Sequence, residues 1–569
     1  MAWLCVALAM LLASCAQPPS TPSSAPAQAG GGATADRTLV VAGGRTPESL
    51  ASKPLRNTGG AGTPRTAMRA MNAGLVLHDE RELPHPYLAE ALPELDTDSW
   101  IVSADGTMTT TYRLHDGLTW HDGSPLTAGD FVFAWRVYAT PELGLSASVP
   151  LKYLAEVTAP DDRTVVFSWR QPFAGAGDLQ AIDLPPLPEH LLAQPFAQRD
   201  PEGFVGLPFW VAEYVGAGPY RLSRFEPGAF MEAEAFAGHV SGVARIRRLR
   251  LLFMDDANAV VAAVLSGNAH IATADTIDAE QAKVLEQQWA DNRGGVVLRS
   301  PVGVRIATPQ LRPEYATPPA LLDPRVRKAL AHAIDRQALA DTLTQGKGTM
   351  ADTLVLPQVE YFADVQRAIT TYPYDVARSV QILHEAGWVR GSDGVLADAS
   401  QNRFAVEVEV AAGARNDIEV EIMADSLRQA GVDPSVRVIP RAQITDRQMR
   451  SMLPGILNVS HQRAFVPPVD RLRSSEIPTA ESRWQGNNQG GWSNPDFDRL
   501  VTAYETTLDR AGRNAQVVAM MKLVSEEEPV IPLYYNLSFF AHVSSLQGPM
   551  VSVSDDVANW NLPDWSWRD

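Results

Sequence analysis

The sequence predicts a mixed α/β protein, and three observations predict it. Strand signals of period two and helix signals of period 3.6 alternate along nearly the whole chain. Helix starts and stops are marked by capping residues and glycines. The composition, 45% hydrophobic and 20% charged over 569 residues, suits a large packed interior divided among several domains. With 48 Lys+Arg against 66 Asp+Glu, the formal net charge is −18. An acidic surface repels phosphates and lacks the cations whose counterion release drives nucleic-acid binding. That balance argues against DNA or RNA as partner and disfavours an anionic membrane surface.

The chain opens on residues 1–14, which carry no charged side chain and run Ala-Trp-Leu-Cys-Val-Ala-Leu-Ala-Met-Leu-Leu after the first Met. Too short to span as a mature helix, this apolar run reads as an export signal. It ends in Leu12-Ala13-Ser14-Cys15, which resembles a bacterial lipobox, so Cys15 is expected to carry lipid as the mature N-terminus. Cys5 and Cys15 are the only cysteines, which rules out a disulfide framework and a thiol nucleophile in the body of the protein. Residues 15–35, from the Cys onward, are small, uncharged and rich in Pro, Ser and Gly. They read as a flexible tether with a reach of about 25 Å. No later stretch approaches 18 unbroken apolar residues.

Beyond the tether, Thr38-Leu-Val-Val-Ala42 reads as a buried strand, and Met108, Thr110, Tyr112 and Leu114 alternate on one face of another. In Phe404-Ala-Val-Glu-Val-Glu-Val410 the same alternation directs Phe404, Val406, Val408 and Val410 inward, and Glu407 and Glu409 to solvent. Asp323-Pro324 is an N-cap followed by Pro at the first helical position. Val326, Ala329, Leu330, Ala333 and Ile334 then repeat at helical spacing, and Gly346 closes the region. Asn494-Pro495 gives the same start signal before Phe497, Leu500, Val501, Tyr504 and Leu508. Helices near 375–386 and 417–430 stop at Gly387 and Gly431.

The motifs of common catalytic chemistries are missing. There is no G-x-S-x-G and no G-x-x-x-x-G-K-[ST], and His384-Glu-Ala-Gly-Trp388 breaks H-E-x-x-H at the second His. His115-Asp-Gly117 and His121-Asp-Gly123 offer two imidazoles and two carboxylates, but Asp-Gly is foremost a turn signal. No metal or other cofactor is expected. A carboxylate pair for glycan hydrolysis stays open, because its required separation is spatial.

The run Tyr112-Arg-Leu-His-Asp-Gly-Leu-Thr-Trp-His-Asp-Gly-Ser-Pro-Leu-Thr-Ala-Gly-Asp-Phe-Val-Phe-Ala-Trp135 resembles the signature of family 5 extracellular solute-binding proteins, the peptide and nickel group of ABC importers. Further blocks similar to that family follow in its order: Pro86–Ala91, Gly216–Leu222, Asp256–Ile271, Asp323–Asp335, Leu383–Trp388 and Trp492–Asp498. The resemblance spans roughly residues 38–545.

It implies a type II periplasmic-binding-protein-like fold with two lobes, a hinge and an extra domain. The expected division is lobe I from 36–75, 185–299 and 529–569, the extra domain at 76–184, and lobe II at 300–528. It further implies a non-enzymatic receptor, in the periplasm or on the cell surface, that closes on an oligopeptide or other small solute and serves an ABC permease with its ATPase. Such a receptor is expected to be a monomer. A secreted hydrolase, perhaps acting on glycans, is the alternative.

In many peptide binders of this family a buried carboxylate for the ligand's α-amine stands in a Trp-x-x-Asp-Tyr-like segment. The corresponding region here is Gly455-Ile-Leu-Asn-Val-Ser-His-Gln-Arg-Ala-Phe-Val-Pro-Pro-Val-Asp470. Asn458, His461 and Arg463 are therefore candidate ligand residues, of a character that suits a carboxylate, phosphate or polyol better than an ammonium. Their alternative is incidental loop polarity. Arg415 and Asn416 follow a strand and precede a helix, where ligands gather in α/β sheets. Trp492 is either a stacking platform for the solute or a core aromatic.

Overall fold

The computed structural model describes residues 37–55, 62–146, 148–198, 200–440, 442–444, 446–458, 471–552 and 558–568. The signal, Cys15, the tether, His461 and Arg463 lie outside these residues.

A ten-stranded sheet organises the molecule. From one edge its order is Asp433–Ile439, Ala405–Ala411, Ile456–Asn458, Gly295–Pro309, Ile531–Val543, Ile271–Ala272, Leu39–Gly43, Arg248–Phe253, Phe230–Ala235 and Tyr220–Glu226. The buried strand expected at Thr38–Ala42 is Leu39–Gly43, and it lies parallel between Arg248–Phe253 and Ile271–Ala272. Strands covered on both faces read as continuous apolar runs, which is why Leu-Val-Val-Ala was legible.

Two long antiparallel strands in the middle, Gly295–Pro309 and Ile531–Val543, join the halves. At one end Ile531–Val543 pairs with Ile271–Ala272 of the first lobe, and at the other Gly295–Pro309 pairs with Ile456–Asn458 of the second. Their register slips between Pro301 and Gly303, midway along the ladder. Such an irregularity bends a strand, and here it falls between the lobes. The expected boundary at 299/300 falls within the strand Gly295–Pro309, not in a loop.

The two lobes hold separate cores. That of the first includes Leu39, Leu249, Leu251 and Tyr220, and runs without a break into a four-stranded sheet formed by Trp100–Val102, Met108–Arg113, Thr164–Trp169 and Leu154–Asp161. Met108, Thr110 and Tyr112 are buried on one face, as their alternation predicts. The signature run builds this region. Trp120 donates its indole N–H to Asp130 at 3.3 Å, and Asp130 closes a capping box with Thr127 at the start of the helix Ala128–Tyr138. Gly117 and Gly123 stand at φ 70° and 89°, so both Asp-Gly pairs are turns. His121 is buried and neutral: its Nδ1 accepts from Gly216 N–H and its Nε2–H donates to the Gly218 carbonyl, while burial pulls it down to about 4.

In the second lobe Asp323 caps Pro324–Ala333, and Asn494 caps Pro495–Thr506 by accepting from the backbone of Asp496 and Phe497. The latter helix stops at Thr506, so Leu508, counted with its apolar stripe, sits in the turn beyond. Phe404, Val406, Val408 and Val410 face the helical core as expected. Glu409 does not face solvent; it is 0% exposed. Its strand is interior, between Asp433–Ile439 and Ile456–Asn458, and the cluster of Ile439, Leu453 and Leu457 lies beyond its second face. Alternation reads which face a side chain takes, not whether that face is covered. No described helix is long and apolar enough to cross a membrane.

Candidate functional site

Where the hinge strands bring the lobes together, a cavity of about 700 Å³ opens between them. Pockets of this size enclose a drug-sized or short peptide-like molecule. The first lobe and the extra domain contribute the helix Thr63–Met71 and the strand Val76–His78, with Leu145, Ile182 and Trp560 on the wall. The second lobe contributes Val359, Glu360 and Tyr361, and, from the hairpin of helices Pro495–Thr506 and Arg510–Glu527, Tyr504, Arg510 and Arg513. The hairpin's tip crosses to the other half: Leu508 packs against the first-lobe core.

Charge is concentrated on these walls. His78 donates Nε2–H to Asp178 at 2.6 Å and Nδ1–H to Glu82 at 3.1 Å. Burial by itself would lower this imidazole, but the two carboxylates outweigh it and raise it to about 9, so it stands as an imidazolium. Burial, and after it the neighbouring Arg65, pull Arg69 down to about 10. Across the cavity Glu360 accepts from Arg510 at 2.8 Å and Asn514 at 2.6 Å, and Arg510 holds its carboxyl below the usual range. Among the described residues no group of three His, Cys, Asp or Glu could hold a metal ion.

The model of the family "Bacterial extracellular solute-binding proteins, family 5 Middle" matches residues 90–469. The chain belongs to family 5. A curated relative, the oligopeptide-binding protein AppA of Bacillus subtilis, is 24% identical over 98% of this chain and 96% of its own length. The solved structure of AppA from Bacillus subtilis in complex with a nonapeptide superposes with a TM-score of 0.67 at 19% identity, covering 94% of this chain and all of that one. NikZ from Campylobacter jejuni in complex with Ni(L-His) gives 0.70 at 20% identity, covering 93% and 99%. These likenesses establish the two-lobed type II fold.

In this family 5 protein four of the candidate ligand residues fall within the described residues. Asn458 ends a strand of the large sheet. Asn416 is held inside the second lobe, where it accepts from Arg305 at 3.0 Å and donates to the Ala411 carbonyl at 2.9 Å. Arg305 pairs with Glu419, whose carboxyl also accepts from Tyr534 at 3.0 Å, and Arg415 lies 5.8 Å from the Tyr534 ring. Within the network Arg305, Asn416, Glu419 and Tyr534 satisfy one another's hydrogen bonds, while Asn416 is half-buried and Arg415 exposed. Trp492 belongs to the second-lobe core, packed edge-on to Phe497 at 5.0 Å with its N–H on Glu527 at 2.7 Å. None of Arg415, Asn416 and Trp492 lines the cavity.

The residues that do line it were missed. Tyr504 carried a signal, but as one apolar member of a helical stripe. Arg510 and Arg513 open the helix Arg510–Glu527 with no motif around them, and only the folding of that hairpin against the first lobe brings them to the cavity. His78, Glu82 and Asp178 meet across a hundred positions of sequence, which no local pattern signals.

Proposed function

We propose that this protein is the solute receptor of an ABC importer, held outside the cytoplasm by lipid on Cys15, and that it takes a peptide or peptide-like small molecule into the inter-lobe cavity. The observation that carries this reading is the cavity itself: its lining comes from both lobes, and those lobes are joined by two strands with a register slip between them. A solute seated there gains contacts from the second wall only when the lobes are shut, so binding shifts the population toward the closed form. The closed form is then what a permease, worked by its cytoplasmic ATPase, recognises. The binding activities of the relatives named above support the same reading, and the protein works as a monomer.

Hydrolysis is not favoured at this site. Asp178 and Glu82 share one imidazolium and Glu360 is held by Arg510, which leaves none of these carboxylates placed to protonate a leaving group.

The test is a thermal-denaturation screen against mixed short peptides, amino-acid derivatives, sugars and metal chelates, followed by native mass spectrometry of the mixture. A receptor is stabilised by about 2.7 kcal/mol at a hundredfold excess of solute over Kd and returns that solute unaltered. Release of cleaved products, or stabilisation by no peptide-like solute, overturns the reading.

A further inference from the structure

The charges around the cavity are lopsided. Arg65, Arg69, Arg81, Arg510, Arg513 and the His78 imidazolium line it, against Glu82, Asp178 and Glu360. All three carboxylates are already engaged, Asp178 and Glu82 by His78 and Glu360 by Arg510. A solute ammonium brought into this space would find, among the described residues of the lining, no carboxylate without a cation, and an ion removed from water without a partner is strongly disfavoured.

Arg513 presents the opposite situation. Its guanidinium lies over the Tyr504 ring at 5.8 Å; Glu360 feels its charge but is bonded to Arg510, no carboxylate pairs with Arg513 within 4 Å among the described residues, and its Nε is buried without a hydrogen-bond partner. A guanidinium near an aromatic face has its planar fork of N–H donors oriented in advance, and that fork matches the two oxygens of a carboxylate. On the opposite wall Arg81 stays largely exposed, with Glu80 at 3.8 Å, and adds a second positive charge at the rim. The walls between them are apolar, from Leu145, Ile182, Val359 and Val517.

We propose that Arg513 is the anchor for a solute carboxylate, and that the cavity selects peptide-like acids, those with a blocked amine or acidic side chains, over solutes whose main charge is an ammonium. The inference rests on the receptor reading above and sharpens its substrate class. It assigns the solute's charged contact to the helical hairpin of the second lobe, with Tyr504 holding the guanidinium and the apolar walls taking the solute's side chains.

The experiment offers the full-length wild-type protein three forms of one mixed tripeptide library: N-acetylated acids, free zwitterions, and C-terminal amides with a free amine. Bound species are read by native mass spectrometry and affinities by calorimetry. The expected result is enrichment of acetylated and acidic members. Arg513→Gln should weaken them at least tenfold, Arg513→Lys should weaken them less, and neither should alter the weak binding of amides. Equal or better retention of the amides overturns the inference, using the wild-type protein alone. So does unchanged affinity for acids in a folded Arg513→Gln. If the wild-type protein retains no library member in any form, the peptide-receptor reading fails and takes this inference with it; retention without preference for acids sinks the inference and leaves that reading standing.

Discussion

Asp178 and His78 are bonded at 2.6 Å across 100 positions of sequence, and Glu82 closes the other side of the same imidazole at 3.1 Å. The bond ties the strand Val76–His78 to the segment that returns from the four-stranded sheet, and so fixes one wall of the cavity. The His78 pKa is raised to about 9, so the native state holds a proton that the unfolded chain releases near 6.5. Stability from this contact is fully present below about pH 6.5 and is lost as pH rises through about 9. It is at most about 3 kcal/mol. Urea unfolding of wild type and His78→Gln should differ most at the acid end of that window and converge above it.

Leu508 reaches from the second-lobe hairpin to the first-lobe core, a contact that exists only while the lobes are together. Leu508→Ala should remove about 1 kcal/mol from the closed form and weaken solute binding roughly fivefold, although the residue is not part of the cavity lining. Small-angle scattering should show a more open average shape for the variant without solute. An unchanged envelope and affinity would remove Leu508 from the closing device.

Trp492 is 5% exposed and its N–H is used by Glu527. Trp492→Ala should therefore destabilise the fold by about 3–5 kcal/mol. Chemical denaturation measures this directly, and Trp492→Phe should restore part of the loss through its contact with Phe497. A folded Trp492→Ala with weak solute binding would return this residue to the ligand site.

Glu409 is wholly buried with neither carboxylate oxygen bonded, and its cross-strand neighbour Arg437 is taken by Glu407 at 3.3 Å. Burial first, and the like charge of Glu407 second, push it up to about 8. The native state thus keeps a proton that the unfolded chain sheds near 4.5, so this residue makes stability fall as pH rises from about 4.5 to about 8. Glu409→Gln should melt higher than wild type at pH 8 and lose that advantage below about pH 4.5. A variant less stable than wild type at both ends would contradict a neutral, unpaired Glu409.

Cys15→Ser should move the protein from the membrane fraction to the soluble fraction of the producing cell, because a single lipid-bearing N-terminus supplies the only membrane attachment proposed for it. Fractionation and immunoblotting read the outcome, and membrane retention of the variant would refute lipidation at this position.

Much of the fold was legible from sequence because local rules wrote it. Asp323 and Asn494 cap helices where the sequence placed them, since a cap needs only one side chain and the amides just after it. The strand near 404–410 followed from alternation, and the signature run from Tyr112 to Trp135 carried the family resemblance by its length. Arg415, Asn416 and Trp492 stand apart from the cavity lining. Strand ends and aromatics are common in ligand sites and in cores alike, and sequence does not say which neighbour completes their hydrogen bonds.

What the chain determined by itself was therefore the alternation of strands and helices, their caps, and the family whose signature it carries. What only the tertiary structure decided was which polar groups face one another: His78 with Asp178, Arg510 with Glu360, Arg513 with Tyr504, and Glu409 buried beside the like charge of Glu407. Periodicity is set within a few residues of the backbone. Charge pairing and burial depend on distances across the fold, and those come into being only when the two hinge strands have brought the lobes together.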